Sequence, residues 1–157
     1  MGSLVTSIRP MNRDDLADVV RLERDNRPRP WTEGEFISEL EAADRVYLVA
    51  DEEETIGFAG VVVMGDEAHV TNLLVDPASR GRGVGRLLML SLIGAAVDMG
   101  ARHLTLEVGS VNDSARSLYS GLGLVPVGVR PGYYGDDDAF IMWAHDIDRP
   151  GFLEGLR

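Results

Sequence analysis

Apolar and polar residues alternate with two different periods along this chain, and the switches between them mark its elements. Val5 to Arg9 reads as a short first strand, closed by Pro10. Asn12 to Asp25 has helical spacing, with Leu16, Val19, Val20 and Leu22 as its apolar stripe, Asn12 as cap and Asp15 three residues later. The stretch Asn26-Arg27-Pro28-Arg29-Pro30 stops that helix, because proline cannot continue the ladder. Thr32 and Glu35 form a second capping box, for a helix running to about Ala42. Trp31 and Phe36 stand at the positions of a hydrophobic staple around it.

The period then shortens to that of strands. Val46 to Asp51 and Thr55 to Met64 read as a hairpin with Glu52-Glu53-Glu54 at its tip. Gly65-Asp66 turns the chain into a strand from Glu67 to Val75, ended by Asp76-Pro77. Arg80-Gly81-Arg82-Gly83-Val84-Gly85 precedes a long helix to about Met99, and Gly100 sits where a C-terminal glycine stop belongs. His103 to Val108 is a strand, Ser114 to Leu122 a helix with Gly123 as its stop. Val125 to Arg130 and Ala139 to Asp146 are a last strand pair, and the residues from Arg149 read as a tail. The order predicts a mixed α/β (α+β) domain over residues 1–148 with a tail at 149–157. Antiparallel strands come first and a strand–helix–strand unit lies in the middle.

Composition narrows the class. At 157 residues, 45% hydrophobic and 26% charged, the chain is long enough for one core and too apolar for disorder. Asp plus Glu number 26 against 15 basic residues, a net charge of -11. Every basic residue is Arg; no Lys occurs. That balance argues against nucleic-acid binding and favours a cationic partner. With no Cys there is no thiolate nucleophile and no zinc ribbon, and a reducing, cytoplasmic setting fits. The apolar run Leu87 to Val97 is short of the ~18 residues of a membrane span, and no secretory h-region opens the chain. Met1 to Thr6 matches the loose myristoylation pattern, against which stands the strand expected from Val5. His69, His103 and His145 have no metal-ligand spacing and read as structural or surface residues, so no metal site is expected.

The glycine-rich turn before the long helix is the first candidate site. Glycines let backbone approach a ligand, and the N–H groups and dipole of a helix start attract anions. Arg80, Arg82 and Arg86 add guanidinium groups suited to phosphate. A plain flexible basic turn has the same composition. The P-loop is excluded, since it needs Lys. The dinucleotide fingerprint lacks its third glycine, where Arg86 stands, although Glu107 lies near the next strand end as a ribose ligand would.

The turn resembles the pyrophosphate loop of the GNAT acetyltransferases, Gln/Arg-x-x-Gly-x-Gly/Ala, with Arg80, Gly83 and Gly85 in place. The preceding Asn72-Leu73-Leu74-Val75-Asp76-Pro77 is similar to that family's strand before the loop. Further stretches resemble its ribosomal-protein alanine N-acetyltransferase branch, RimI. They are Pro30-Trp31-Thr32, Leu106-Glu107-Val108 with Asn112 and Leu118-Tyr119, and Tyr133-Tyr134 with Asp138 to Met142. In order, they cover nearly the whole chain. Two positions depart from the branch: Gly109 stands where Arg is common, removing a charge beside Glu107, and Leu124 where Phe is common.

The resemblance implies the GNAT fold, a mixed central sheet with flanking helices, and acetyl-CoA as cosubstrate. It implies Glu107 as general base and Tyr119 as the acid that protonates the leaving thiolate. Cofactor contacts would come from Gly81, Arg82, Gly83, Val84, Gly85 and Arg86 with Arg80, from the backbone of Leu73, Leu74 and Val75 on a splayed strand, and from Asn112. Trp31, Tyr133 and Tyr134 would meet a protein N-terminus such as that of ribosomal protein S18. Read without it, each has a plainer role. Glu107 is a carboxylate on a strand's polar face, Tyr119 a core aromatic and Asn112 a helix cap. Trp31 is a staple, and Tyr133 and Tyr134 a packing pair. Asp136-Asp137-Asp138 is either a solvated turn or an attractor for a basic peptide. Transfer to lysine side chains or a small amine, and an acyl-CoA-binding module without turnover, remain open alternatives.

Overall fold

Two capping boxes set the start of the helical layer, as predicted. Asn12 Oδ1 accepts the Asp14 N–H at 2.8 Å while Asp15 Oδ2 accepts the Asn12 N–H at 2.9 Å. This box opens a short 3-10 turn, Arg13–Asp15, that runs into α1, Leu16–Asn26. The second box pairs Thr32 with Glu35 and opens α2, Glu33–Glu41. The computed structural model describes residues 5–134 and 137–156. Its strands are β1 (Ser7–Pro10), β2 (Arg45–Asp51), β3 (Thr55–Met64), β4 (Glu67–Val75), β5 (His103–Gly109), β6 (Val125–Tyr134) and β7 (Asp137–His145). Helices α3 (Val84–Asp98), α4 (Asp113–Gly121) and α5 (Phe152–Leu156) complete the order. The strands form one mixed sheet in the order β1-β2-β3-β4-β5-β7-β6.

The chain divides into two compact units. The first holds β1, α1, α2, β2, most of β3, the end of β4 and most of α3. Here β1, β2 and β3 pair antiparallel. Its core joins Leu16, Val19 and Leu22 of α1 to Phe36 of α2 and Phe58 of β3. The Phe36 and Phe58 rings meet edge-on at 5.6 Å. The second holds the start of β4, the last turn of α3, and everything from β5 onward. In it β4 runs parallel to β5, with Glu67, Ala68 and His69 opposite His103, Leu104 and Thr105. β5 and β7 pair antiparallel, as do β7 and β6. Leu104, Leu106 and Val108 point into the core while His103, Thr105 and Glu107 take the other face, as alternation predicts.

Several boundaries differ from the sequence reading. β1 starts at Ser7, where β2 supplies a partner in Asp51, and it includes Pro10 opposite Leu48. β1 ends the sheet, and an edge strand tolerates a missing N–H. The same reason lets β6, the opposite edge, continue through Pro131 to Tyr134 instead of stopping at Arg130. The long helix begins at Val84, inside the segment expected as a turn. Residues 152–156, expected within a tail, form α5 because Phe152 has an apolar place to go. It is buried, 3.7 Å from where a Cβ on Gly123 would lie, with the Arg149 guanidinium over its ring.

Candidate functional site

In the first unit the glycine-rich turn takes a conformation that only its sequence permits. Gly81 has φ 80° and Gly83 φ 81°, both left-handed. A Cβ on either would meet nothing within 4 Å. Backbone geometry, not crowding, therefore demands glycine, and the space beside both is open. The Leu87 N–H donates to Gly83 O at 3.0 Å, so the Val84 and Gly85 N–H groups belong to the helix start and precede its first bond. The Val84 side chain is buried, leaving its backbone as the part a ligand could meet. Backbone N–H donors, a helix dipole and open space fit a pyrophosphate.

The arginines of this turn are held by the protein. Arg80 Nε donates to Val75 O at 3.2 Å. Arg82 pairs with Glu52, which also accepts from the Thr6 hydroxyl at 2.6 Å. The Thr6 hydrogen bond and then the Arg82 guanidinium hold the Glu52 carboxyl below its ordinary range. Glu52, read from sequence only as part of a hairpin tip, thus fixes one of the expected phosphate ligands.

The end of β4 is tied to α1 by another arginine. Arg27 Nη2 donates to Leu73 O at 2.9 Å, and its Nε lies 3.6 Å from the buried Glu23 carboxylate. Glu23 Oε2 accepts the Trp31 N–H at 2.8 Å. The Trp31 ring lies 5.3 Å from Phe36, the staple contact its spacing suggested. Leu74 is buried, with Leu73 and Val75 half-buried on either side of it. Nearby, the Tyr47 hydroxyl donates to Glu39 at 2.9 Å and lies 3.1 Å from Thr71. Burial pushes that phenol up from its ordinary value.

The second unit carries the candidate acid–base groups. Glu107 is on the polar face of β5, yet its side chain is only 11% exposed. Its Oε2 lies 2.7 Å from His69 Nε2, and its Oε1 lies 3.6 Å from Arg130 Nη2. Tyr119 is buried on α4. Asn112 caps α4, its Oδ1 accepting the Ala115 N–H at 3.2 Å, so its amide nitrogen is the end left for a ligand. The Tyr133 and Tyr134 backbones lie in β6, but their side chains are outside the described residues, as are Asp136 and Met1 to Leu4.

Sequence reasoning missed His69 and Arg130 as neighbours of Glu107. A signal existed for His69: a strand–helix–strand crossover sets β4 parallel to β5, and two-residue alternation places His69 and Glu107 on facing polar rows. Arg130 gave no such signal, because register shifts in the β6–β7 ladder decide where it points. His103 and His145 sit opposite each other on β5 and β7 with their Nδ1 atoms 3.0 Å apart. Among the described residues no group of three or more His, Asp or Glu side chains could hold a metal ion.

Known proteins resemble this chain in sequence and in fold. A Bacillus subtilis (strain 168) relative is 35% identical over 141 residues, 87% of this chain and 93% of its own. The ribosomal protein bS18-alanine N-acetyltransferase of Salmonella typhimurium is 34% identical over 143 residues, covering 88% of this chain and 96% of its own. The crystal structure of the ribosomal-protein-S18-alanine N-acetyltransferase from Escherichia coli is similar with a TM-score of 0.82 and 30% identity, over 90% of this chain and 94% of that one. The Acetyltransferase (GNAT) family matches residues 16–124, which span both the glycine-rich turn and Glu107 with Tyr119. The chain therefore belongs to the GNAT family of acetyltransferases.

Proposed function

We propose that this enzyme is an N-α-acetyltransferase of the cytoplasm, moving acetyl from acetyl-CoA to a protein N-terminal amine, that of ribosomal protein S18 or a similar basic peptide. The observation that carries the reading is Glu107: a shielded carboxylate held by two cationic or donor side chains in the segment resembling the RimI branch. The names of the Salmonella and Escherichia coli relatives support the choice of substrate.

The chemistry asks little of the protein. An α-amine has a pKa of about 8, so roughly a tenth is neutral at pH 7, whereas a lysine amine near 10.4 is almost wholly charged. One carboxylate is an adequate base for the first. Glu107 takes a proton from the α-ammonium, directly or through water, and the freed amine forms the N–C bond as the C–S bond breaks. Tyr119 gives its proton to the departing thiolate, and the acylated nitrogen sheds its surplus proton to the resulting phenolate, which restores Tyr119. Acetyl-CoA supplies the activated acyl group. The turn at 80–86 holds its pyrophosphate through backbone N–H groups and arginines. The Leu73, Leu74 and Val75 backbone and the Asn112 amide meet its pantetheine arm, and an N–H near Leu74 polarises the acetyl carbonyl. Trp31, Tyr133 and Tyr134 border the peptide.

Acetylation of an S18-like peptide by the wild type, Glu107→Gln and Tyr119→Phe tests this. Each variant is expected to lose about 100-fold or more in kcat, the usual worth of a positioned acid or base. Wild-type turnover in both would remove the assigned roles. Mass spectrometry of the product reads the substrate class: ε-acetyl without α-acetyl peptide favours lysine transfer instead.

A further inference from the structure

The His69–Glu107 contact is short and joins two paired strands. We propose that His69 is a positioning residue for Glu107: its Nε2–H fixes the carboxylate so that Oε1 is presented to the amine. The proposal rests on the reading of Glu107 as base.

An ionised carboxylate only accepts hydrogen bonds. With Glu107 ionised, the 2.7 Å contact therefore requires the proton on His69 Nε2. A neutral ring then carries its lone pair on Nδ1, away from Glu107. Because Nε2 already bears a proton, it cannot take the one that Glu107 receives. That proton leaves Glu107 for water, and His69 acts by orientation alone.

Orientation is needed here. A glutamate side chain has several torsions, and β5 fixes only its root. His69 lies opposite Thr105 in the β4–β5 ladder, so both ends of the contact stand on paired backbone. With Oε2 engaged, Oε1 is the oxygen left to take the proton, and its 3.6 Å separation from Arg130 Nη2 is beyond hydrogen-bond distance. The titratable pair Glu67 and His103 lies on the same face, opposite each other two residues further along the ladder. A ring 35% exposed also explains why the contact is not simply core packing.

Two measurements on the full chain test the proposal. NMR of the nitrogen-15-labelled histidine rings at pH 7.5 is expected to find His69 as the Nε2–H tautomer, with its Nε2–H proton shifted downfield by the hydrogen bond to the carboxylate and that shift lost in Glu107→Leu. An Nδ1–H tautomer in the wild type would overturn it. In kinetics, His69→Leu is expected to lower kcat about 10- to 100-fold, the cost of a misplaced group, with both KM values within about twofold. His69→Gln places an amide N–H near the Nε2 position and is expected to recover kcat to within about threefold of wild type. His69→Asn, equally polar but too short, is expected to stay as low as His69→Leu. Wild-type kcat in His69→Leu, or Gln no better than Asn, would overturn the proposal. Full activity in Glu107→Gln would instead remove the base assignment, and the proposal with it, whatever the His69 variants do.

Discussion

At the scale of single residues, Asp15 is a heavily committed charged group that is not a site residue. Its carboxylate accepts from Arg9 Nη2 at 2.7 Å, Arg9 Nη1 at 2.9 Å and the Asn12 N–H at 2.9 Å, and the residue is 6% exposed. The Arg9 hydrogen bonds hold it below the ordinary carboxylate range. A carboxylate depressed on folding stabilises fully above its unfolded value of about 3.9, and that stability is lost as pH falls through the folded value. Asp15→Asn should therefore cost about 2 kcal/mol at pH 7, the worth of hydrogen bonds to a charge. Arg9 stays partly in water, which keeps the loss below that of a fully buried pair. In urea unfolding the gap between wild type and variant should hold from pH 7 to 5 and shrink at pH 3. A gap independent of pH would show that Asp15 acts only through shape. Of all this, only the capping spacing of Asn12 and Asp15 was legible in the sequence. The Arg9 partnership needs β1 laid beside the start of α1, which no local pattern states.

Elements explain both what could be read early and what could not. Caps and alternation are local physics, so α1, α2 and the hairpin of β2 and β3 were legible to within a few residues. So was the inward row Leu104, Leu106 and Val108, which leaves Glu107 on the opposite face. α5 and the far end of β6 were not, because each depends on a distant partner: Gly123 beneath Phe152, and an edge position for Pro131. Strand β3 shows what packing adds. A Cβ on Gly57 would lie 2.9 Å from Leu74 O and 3.3 Å from Leu88 Cδ1, so the β4 backbone must move to admit it. A Cβ on Gly60 would lie 2.3 Å from the Tyr47 ring instead. Gly57→Ala and Gly60→Ala should each cost about 1–3 kcal/mol by overpacking. Their kinetics should differ. Gly57→Ala displaces the stretch proposed to pair with pantetheine and should raise the KM for acetyl-CoA severalfold, while Gly60→Ala should leave it near wild type. Equal KM values in the two variants would argue against Leu73 to Val75 as the pantetheine contact.

For the whole molecule, charge is the property that composition alone displayed, and the turn at 80–86 divides its meaning. The chain carries -11 overall, yet Arg80, Arg82 and Arg86 cluster within seven consecutive positions. The average field draws a basic peptide and repels a polyanion such as acetyl-CoA, while the arginines act on that polyanion at contact range. Salt separates these ranges, because the screening length falls from about 10 Å at 0.1 M to about 3 Å at 1 M. Raising NaCl from 0.05 to 0.5 M should therefore raise the KM for a basic N-terminal peptide by about threefold or more and leave a neutral peptide of equal length unchanged. The KM for acetyl-CoA should move less than that of the basic peptide, since weakened contact attraction is offset by weakened long-range repulsion. Initial rates with the two peptides across the salt series measure all three effects. A basic-peptide KM that stays flat would mean that the surplus of acidic residues serves solubility and not substrate recruitment.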